Sequence, residues 1–200
     1  MSHRTSHRHS LLVSALFGAA TLASALPVHA DTVTIRRPGA RTQYVFEAEP
    51  HLLLGFIDPP GRDVASDFGF GPGFRGTVEI VRNGFVGTIN NSVGIGFGLD
   101  WVLYPGARGC DDKGPLGQNC DDEDVSYFWI PVVLQWNFWI SRQWSVFGEP
   151  GFALGLINPG DDRFQPFVFY AGGRWQFTER VTLTMRAGYP SFSVGVSFLL

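Results

Sequence analysis

The stretch VGIGFGLDWVLYP, Val93 to Pro105, alternates strictly between two kinds of side chain. One parity is apolar throughout and consists of Val93, Ile95, Phe97, Leu99, Trp101 and Leu103. The other consists of three glycines, one carboxylate and one valine: Gly94, Gly96, Gly98, Asp100 and Val102. Successive side chains of a β-strand point to opposite faces, so the stretch predicts a strand with one apolar face and one nearly bare face. A strand on the surface of a soluble sheet would instead turn its second face to water with polar side chains.

The same alternation recurs along the chain, interrupted by connections of two kinds. Some connections are long or acidic, such as PGARGCDDKGPLGQNCDDED at 105–124, and others are tight and polar, such as SRQ at 141–143 and TER at 178–180. An even number of strands with long and short connections at opposite ends is typical of transmembrane β-barrels. We predict eight strands, at Tyr44–Leu54, Phe68–Val81, Asn91–Tyr104, Val125–Trp139, Trp144–Leu156, Pro166–Phe177, Val181–Gly188 and Phe192–Leu200.

The charged residues of these segments share one parity, opposite to the large apolar residues. An arginine facing lipid near the middle of a bilayer costs about 2–4 kcal/mol, so the apolar parity is predicted to face lipid and the charged parity to line the barrel interior. Buried charges need partners, and we therefore predict an ion-paired interior network. Its members are Glu47, Glu49, His51, Arg75, Glu79, Asp100, Glu149, Arg174 and Arg186, with Gln135, Asn137 and Gln176 on the same parity.

The start of the chain has the layout of a secretory signal peptide. A basic beginning is followed by the short apolar run LLVSALFGAATLASAL and by Val28 and Ala30 at positions −3 and −1 of a cleavage site. An N-terminal membrane anchor is the weaker interpretation, because the run is short and rich in alanine. We expect residues 1–30 to be the signal peptide, residues 31–43 a periplasmic N-terminal segment, and residues 44–200 the barrel.

Charge excludes one class of partner. Residues 1–30 contain two arginines and no acidic residue, so 13 of the 15 basic side chains remain beside all 18 acidic ones. Beyond residue 30 the chain has one lysine, Lys113, and one histidine, His51. Nucleic-acid binding requires clustered positive charge, and we expect no such partner. We also expect no cofactor and no metal site.

The last predicted strand alternates to the final residue, through Phe192, Val194, Val196, Phe198 and Leu200. This pattern resembles the C-terminal signature that outer-membrane barrels present to their assembly machinery, with Leu200 where an aromatic residue is commoner. Over nearly all of residues 31–200, the chain resembles small outer-membrane proteins of the OmpA, OmpX and OmpW kind in architecture. The resemblance implies an all-β fold: a monomeric, eight-stranded, antiparallel up-and-down barrel in the outer membrane of a Gram-negative-type bacterium. Membrane lipid and the assembly machinery are the implied partners.

The longest connection contains the only two cysteines, Cys110 and Cys120. An even pair in an exported chain predicts a disulfide, and thiolate metal ligation is the lesser alternative. The acidic residues around the pair could in principle hold Ca²⁺, but they lack the ligand spacing of a known calcium loop, which favours a solvated acidic surface. They are Asp111, Asp112, Asp121, Asp122, Glu123 and Asp124.

The sequence favours a structural or surface-binding role over catalysis. One alternative is a narrow conduit for small apolar molecules, lined by the small inward residues Gly94, Gly96, Gly98, Gly151, Ala153 and Gly155. A remote alternative is a lipid-modifying hydrolase that uses Ser193, His51 and Glu49, which the closure of the last strand on the first brings to one region. No esterase motif surrounds any serine, so we expect a protein that is not an enzyme.

Overall fold

The computed structural model describes residues 34–55, 64–65, 68–111, 119–158 and 163–200, so the predicted signal peptide lies outside the described residues. No helix of this part is long and apolar enough to cross a membrane. The strands are β1 (Phe46–Gly55), β2 (Val64–Ala65), β3 (Gly69–Val81), β4 (Asn91–Asp111), β5 (Asn119–Trp139), β6 (Trp144–Asn158), β7 (Arg163–Gln176), β8 (Val181–Gly188) and β9 (Ser191–Leu199).

The strands close into a barrel. Apart from the two-residue β2, each strand pairs antiparallel with its neighbour along the chain, and β9 pairs with β1 to complete the circle. The short β2 adds only to the outer part of β4, through Val64 opposite Gly109. The predicted eight-stranded antiparallel barrel is thus confirmed by the strand pairing.

One connection differs from its prediction. Residues 105–124 were expected to form a loop, but β4 runs on to Asp111 and β5 begins at Asn119, and the two strands remain paired over this extension. The register shifts between Tyr104 and Ala107, on either side of Pro105. Proline has no N–H to donate to a ladder, and an irregularity there lets the hairpin resume beyond it.

The two faces of the wall follow the predicted alternation, with one exception at the start of β4. Val93 has the apolar outward parity but is fully buried. It lies opposite Trp136 in the ladder, and the Trp136 ring meets Phe85 of the 82–90 connection edge-on at 5.7 Å. We attribute the burial of Val93 to this connection, which folds back over the outer face.

The two ends of the barrel are built differently. The short-turn end carries the connections 82–90, 140–143 and 177–180, together with residues 34–45, which we call the strap. Two hydroxyls hold its tight turns: Ser141 Oγ accepts from the backbone N–H of Gln143 and Trp144, and Thr178 Oγ1 accepts from those of Arg180 and Val181. The opposite end, the long-loop end, carries the β4–β5 extension and is where β1, β6 and β8 end.

Candidate functional site

The buried side chains inside the barrel fall into three groups along its length. Tyr44, Trp139 and Leu199 form a small apolar cluster at the short-turn end. Charged and amide side chains follow in the middle. A larger apolar layer lies toward the long-loop end and contains Leu53, Val102, Tyr104, Tyr127, Trp129, Val133, Ala153, Val168 and Tyr170.

Arg174 on β7 connects opposite sides of the lumen. Its Nε and Nη2 donate to the two carboxylate oxygens of Glu47 on β1, at 2.9 Å each. Its Nη1 donates to the side-chain oxygen of Asn137 on β5, and its guanidinium lies 4.3 Å from the centre of the Phe147 ring. Glu47 is 1% exposed and Arg174 4%, so this bidentate pair is out of contact with water.

Arg186 on β8 bridges two carboxylates. It donates to Glu49 on β1 at 2.6 and 2.9 Å, and its Nε donates to Glu149 on β6 at 2.9 Å. Gln135 donates to Glu149 at 2.8 Å and accepts from Asn137 at 3.1 Å, which links the Arg186 cluster to the Arg174 cluster. Together these side chains form one continuous hydrogen-bonded network across the lumen.

A separate cluster, closer to the long-loop end, joins His51, Asp100 and Arg75. One carboxylate oxygen of Asp100 is hydrogen-bonded to His51 Nε2 at 2.9 Å, and the other accepts a hydrogen bond from Arg75 Nη2 at 3.2 Å. Arg75 also lies over the Tyr170 ring, 5.3 Å from its centre. Its Nε and Nη1 are buried and have no hydrogen-bond partner in the part of the chain that the structure describes.

Glu79 finds its partner outside the strands. Arg41 of the strap forms an ion pair with Glu79 and donates to the carbonyl of Arg82 at 2.9 Å. The Arg41 guanidinium lies 4.5 Å from the centre of the Trp139 ring and 5.6 Å from that of Tyr44. Burial raises the pKa of the Tyr44 hydroxyl well above its usual range. Sequence reasoning missed Arg41 because residues 31–43 show no strand alternation; its position among the residues before the first strand was the sole available signal.

The strap itself is part of the short-turn end. Its Thr34 N–H donates to the Ile140 carbonyl at 3.0 Å, and its Ile35 carbonyl accepts from the Asn90 N–H at 2.7 Å. The Asn90 side chain donates to the Ala40 carbonyl at 3.1 Å. Residues 34–43 therefore pack on the barrel instead of extending away from it.

The glycines of the inward face are packed against larger neighbours. A Cβ at Gly155 would lie 2.9 Å from the Trp129 ring, one at Gly94 would lie 2.8 Å from the Thr77 methyl, and one at Gly96 would lie 2.8 Å from a Val133 methyl. The Trp129 indole N–H donates to the Tyr170 hydroxyl at 2.8 Å across this layer. These three glycines, which were predicted as part of the lining of a conduit, thus lie against larger side chains.

The candidate hydrolase residues do not form a triad. His51 directs Nε2 to Asp100, while its Nδ1 lies 3.3 Å from the Glu49 carbonyl and 3.6 Å from a Glu49 carboxylate oxygen. No hydrogen bond joins Ser193 to His51 in the described residues, and Ser193 lies opposite Leu53 instead. The three residues lack the nucleophile–base contact that acyl transfer requires.

The backbone places Cys110 directly opposite Cys120 in the β4–β5 extension. Facing residues of an antiparallel pair have Cα atoms roughly 4.5–5.5 Å apart, within the range that a disulfide spans. The cysteine side chains and those of Asp111, Asp112, Asp121, Asp122 and Glu123 lie outside the described residues. Within the described part, no group of three His, Cys, Asp or Glu side chains could hold a metal ion.

Large apolar side chains are exposed on every long strand around the outside of the barrel, and we call this set the apolar belt. Its exposed side chains come from every long strand and are between about a third and two thirds exposed; they include Leu52, Phe74, Ile95, Phe97, Leu99, Trp101, Phe128, Leu134, Phe152, Phe169, Met185 and Val196. Contiguous exposed apolar surface of this extent is unfavourable in water and is typical of contact with lipid chains.

No protein-family model matches the chain, and no curated protein matches it either. Among solved structures, the crystal structure of Ail, the attachment invasion locus protein of Yersinia pestis, is similar over 79% of this chain and 100% of that one, with 12% identity and a TM-score of 0.47. Neisserial surface protein A is similar over 78% of this chain and 96% of that one, with 14% identity and a TM-score of 0.43. The barrel assignment rests on the strand pairing of this chain itself.

Proposed function

We propose that the chain is an outer-membrane protein whose barrel spans the bilayer, with a structural or surface-binding role and an interior plugged by its own side chains. The observation that carries the proposal is the separation of the two faces. Eight charged or ionisable side chains on the predicted inward parity are buried, Glu79 on the same parity pairs with Arg41, and large apolar side chains are exposed on the other parity. A charge on the outside would cost about 2–4 kcal/mol at mid-membrane, so this separation is the arrangement that a lipid environment demands.

Orientation follows from the connections. Barrels of this kind have short turns on the periplasmic side and longer loops outside the cell. The 140–143 and 177–180 turns and both chain ends would then face the periplasm, and the acidic β4–β5 hairpin would stand outside. We propose that a Cys110–Cys120 disulfide secures this hairpin. The barrel is proposed to be a monomer, because closure leaves no unpaired strand edge in its wall.

The plug is favoured over the conduit by the interior packing. The charged network spans the lumen from β1 through Arg174 to β5, and through Arg186 to β6. The Tyr and Trp side chains beyond it occupy the space that the glycines leave. An apolar solute would have to displace ion pairs that are buried from water, which is costly once one partner is separated.

A conductance measurement with the purified barrel in a planar lipid bilayer tests the plug. We expect a basal conductance near zero for the unaltered protein. Arg174→Ala removes the ion-pair partner of Glu47 and a hydrogen-bond donor to Asn137. We therefore expect this variant to unfold at a lower temperature and to have a higher conductance. Arg37→Ala, at an exposed strap position, is the control. Substantial flux through the unaltered barrel, with Arg174→Ala leaving stability unchanged, would overturn the plug in favour of the conduit.

A further inference from the structure

A cleft of about 670 Å³ opens at the short-turn end, between the strap and the two tight turns. Its wall includes Arg142 and Gln143 from the β5–β6 turn and Gln176, Phe177, Arg180 and one carboxylate, Glu179, from the β7–β8 side. The Gln176 N–H donates to the Gln143 carbonyl at 2.8 Å, which ties the two turns together. The Gln176 side chain donates to Thr42 Oγ1 and to the Glu179 carbonyl, both at 3.0 Å, and so joins the strap to the same wall.

The charge of this end is predominantly positive. The strap and the connections 82–90, 140–143 and 177–180 contain six arginines and one acidic residue, Glu179. Arg142 and Arg180 are exposed, and neither forms an ion pair in the described part of the chain. Their turns are held by the Ser141 and Thr178 hydroxyls, so the backbone positions of both arginines are fixed before any ligand arrives. Guanidinium groups match phosphate geometry through paired N–H donors.

The cleft is continuous with the apolar belt. Phe177, which lines the cleft, is 51% exposed, and its ring centre lies 4.6 Å from that of Trp175. Trp175 stacks on Trp144 at 6.2 Å, and these two residues face each other across β6 and β7 between the two arginine-bearing turns. Aromatic side chains in such positions mark the boundary between lipid chains and head groups. A ligand here would meet positive charge at one end and aromatic rings at the other.

We infer that this cleft binds the phosphate head group of an anionic phospholipid of the adjoining leaflet, with Arg142 and Arg180 on the phosphate and the lipid chains along Trp144, Trp175 and Phe177. The inference rests on the proposed membrane location and orientation. An acidic peptide is the less favoured occupant, because it would use only the arginines, whereas the cleft opens directly onto the aromatic rings of the lipid-facing belt.

The test is lipid binding by the purified full chain in detergent, followed by native mass spectrometry and by thermal unfolding against added lipid. Phosphatidylglycerol should bind and raise the unfolding temperature, whereas phosphatidylcholine should do neither. The double variant Arg142→Gln/Arg180→Gln should bind phosphatidylglycerol roughly 10- to 30-fold more weakly, as expected for the loss of two interfacial arginines. The matched control, Arg36→Gln/Arg37→Gln, removes the same charge from the same end but outside the cleft and should retain the affinity.

Several outcomes would overturn the inference. Equal weakening by the two double variants would reduce the effect to net charge. Competition by inorganic phosphate at concentrations similar to the lipid would show that the aromatic rings add nothing. Tighter binding of poly-glutamate than of phosphatidylglycerol would assign the cleft to an acidic peptide. Conductance is measured separately, so a leaking barrel that still discriminates between the lipids would overturn the plug and leave the cleft assignment standing.

Discussion

Leu134 and Gln135 are neighbours in β5 and face opposite environments. Leu134 lies on the outer belt, 36% exposed, whereas Gln135 is fully buried and hydrogen-bonded to Glu149 and Asn137. The outer face needs no particular partner, because any apolar side chain of moderate size satisfies lipid. On the inner face, each polar group depends on named atoms of other strands. The loss of stability caused by a substitution should therefore depend more on which face the residue occupies than on its position along the chain.

The largest effect is expected from Arg186→Ala on the inner face. The change leaves both Glu49 and Glu149 buried without their counter-charge, and removing one partner of a buried ion pair costs about 3–5 kcal/mol. Urea unfolding of the barrel in detergent micelles measures the loss. Arg37→Ala, at an exposed position of the strap, should stay within about 0.5 kcal/mol of the unaltered protein. A loss no larger than that of the Arg37 variant would show that the carboxylates find other compensation.

The outer face is tested by Leu134→Arg. A guanidinium facing lipid near mid-membrane should make insertion and folding less favourable by about 2–4 kcal/mol. Gln135→Arg places the same side chain one residue along, beside Glu149, and should be tolerated better. Folding yield into lipid vesicles, followed by the gel-mobility shift of the folded barrel, reports both. The reverse order of severity would mean that the register is shifted by one residue.

Substitutions at two glycines test how much space each face leaves for an added methyl group. Gly155 faces inward, and a Cβ there would lie 2.9 Å from the Trp129 ring; at outward-facing Gly148 the nearest atom would be a Phe169 ring carbon at 3.7 Å. Gly155→Ala should destabilise the barrel by about 1–3 kcal/mol through overpacking, and Gly148→Ala should be nearly neutral. Equal unfolding midpoints for the two variants would show that the Trp129 layer has room to relax.

The smallest effect on the stability of the barrel is expected from reduction of the Cys110–Cys120 pair. If the Cys110–Cys120 hairpin stands outside the cell and is oxidised, an impermeant thiol probe should label intact cells only after reduction. Barrel stability should change little, because the pair lies beyond the membrane-spanning part. Labelling that requires permeabilised cells would place the hairpin on the periplasmic side and reverse the proposed orientation.

The sequence predicted the barrel well, because an alternation with a period of two that recurs in eight segments leaves few alternative strand assignments. Strand β8 was predicted at Val181–Gly188 and is found there, and Glu47, Arg174 and Arg186 are buried. Which of them pair could not be predicted, because partners across a lumen depend on the stagger of strands around the barrel. That stagger brings Arg174 to Glu47 and Arg186 to both Glu49 and Glu149.

The failures of prediction have local causes. Pro105 and the glycine- and aspartate-rich stretch after it are typical of a loop, yet pairing with β5 continues past them. Val93 obeys the alternation but is buried, which we attribute to the 82–90 connection, and the alternation does not describe the fold of that connection. Arg41 pairs with Glu79 from a segment that shows no alternation of polar and apolar residues, so the strand pattern could not predict this ion pair. Each case involves a contact between parts of the chain that periodicity treats separately.

The docking of the strap has a consequence for the order of events during folding. Thr34 and Ile35 hydrogen-bond to Ile140 and Asn90, which flank the ends of β5 and β4, and Trp139 N–H donates to the Asn90 carbonyl where those strands meet. That landing place exists only after β4 and β5 have paired, more than a hundred residues further along the chain from Thr34. The strap, although synthesised before every strand, therefore reaches its position only after this pairing, and its docking marks a barrel whose wall has already formed on that side.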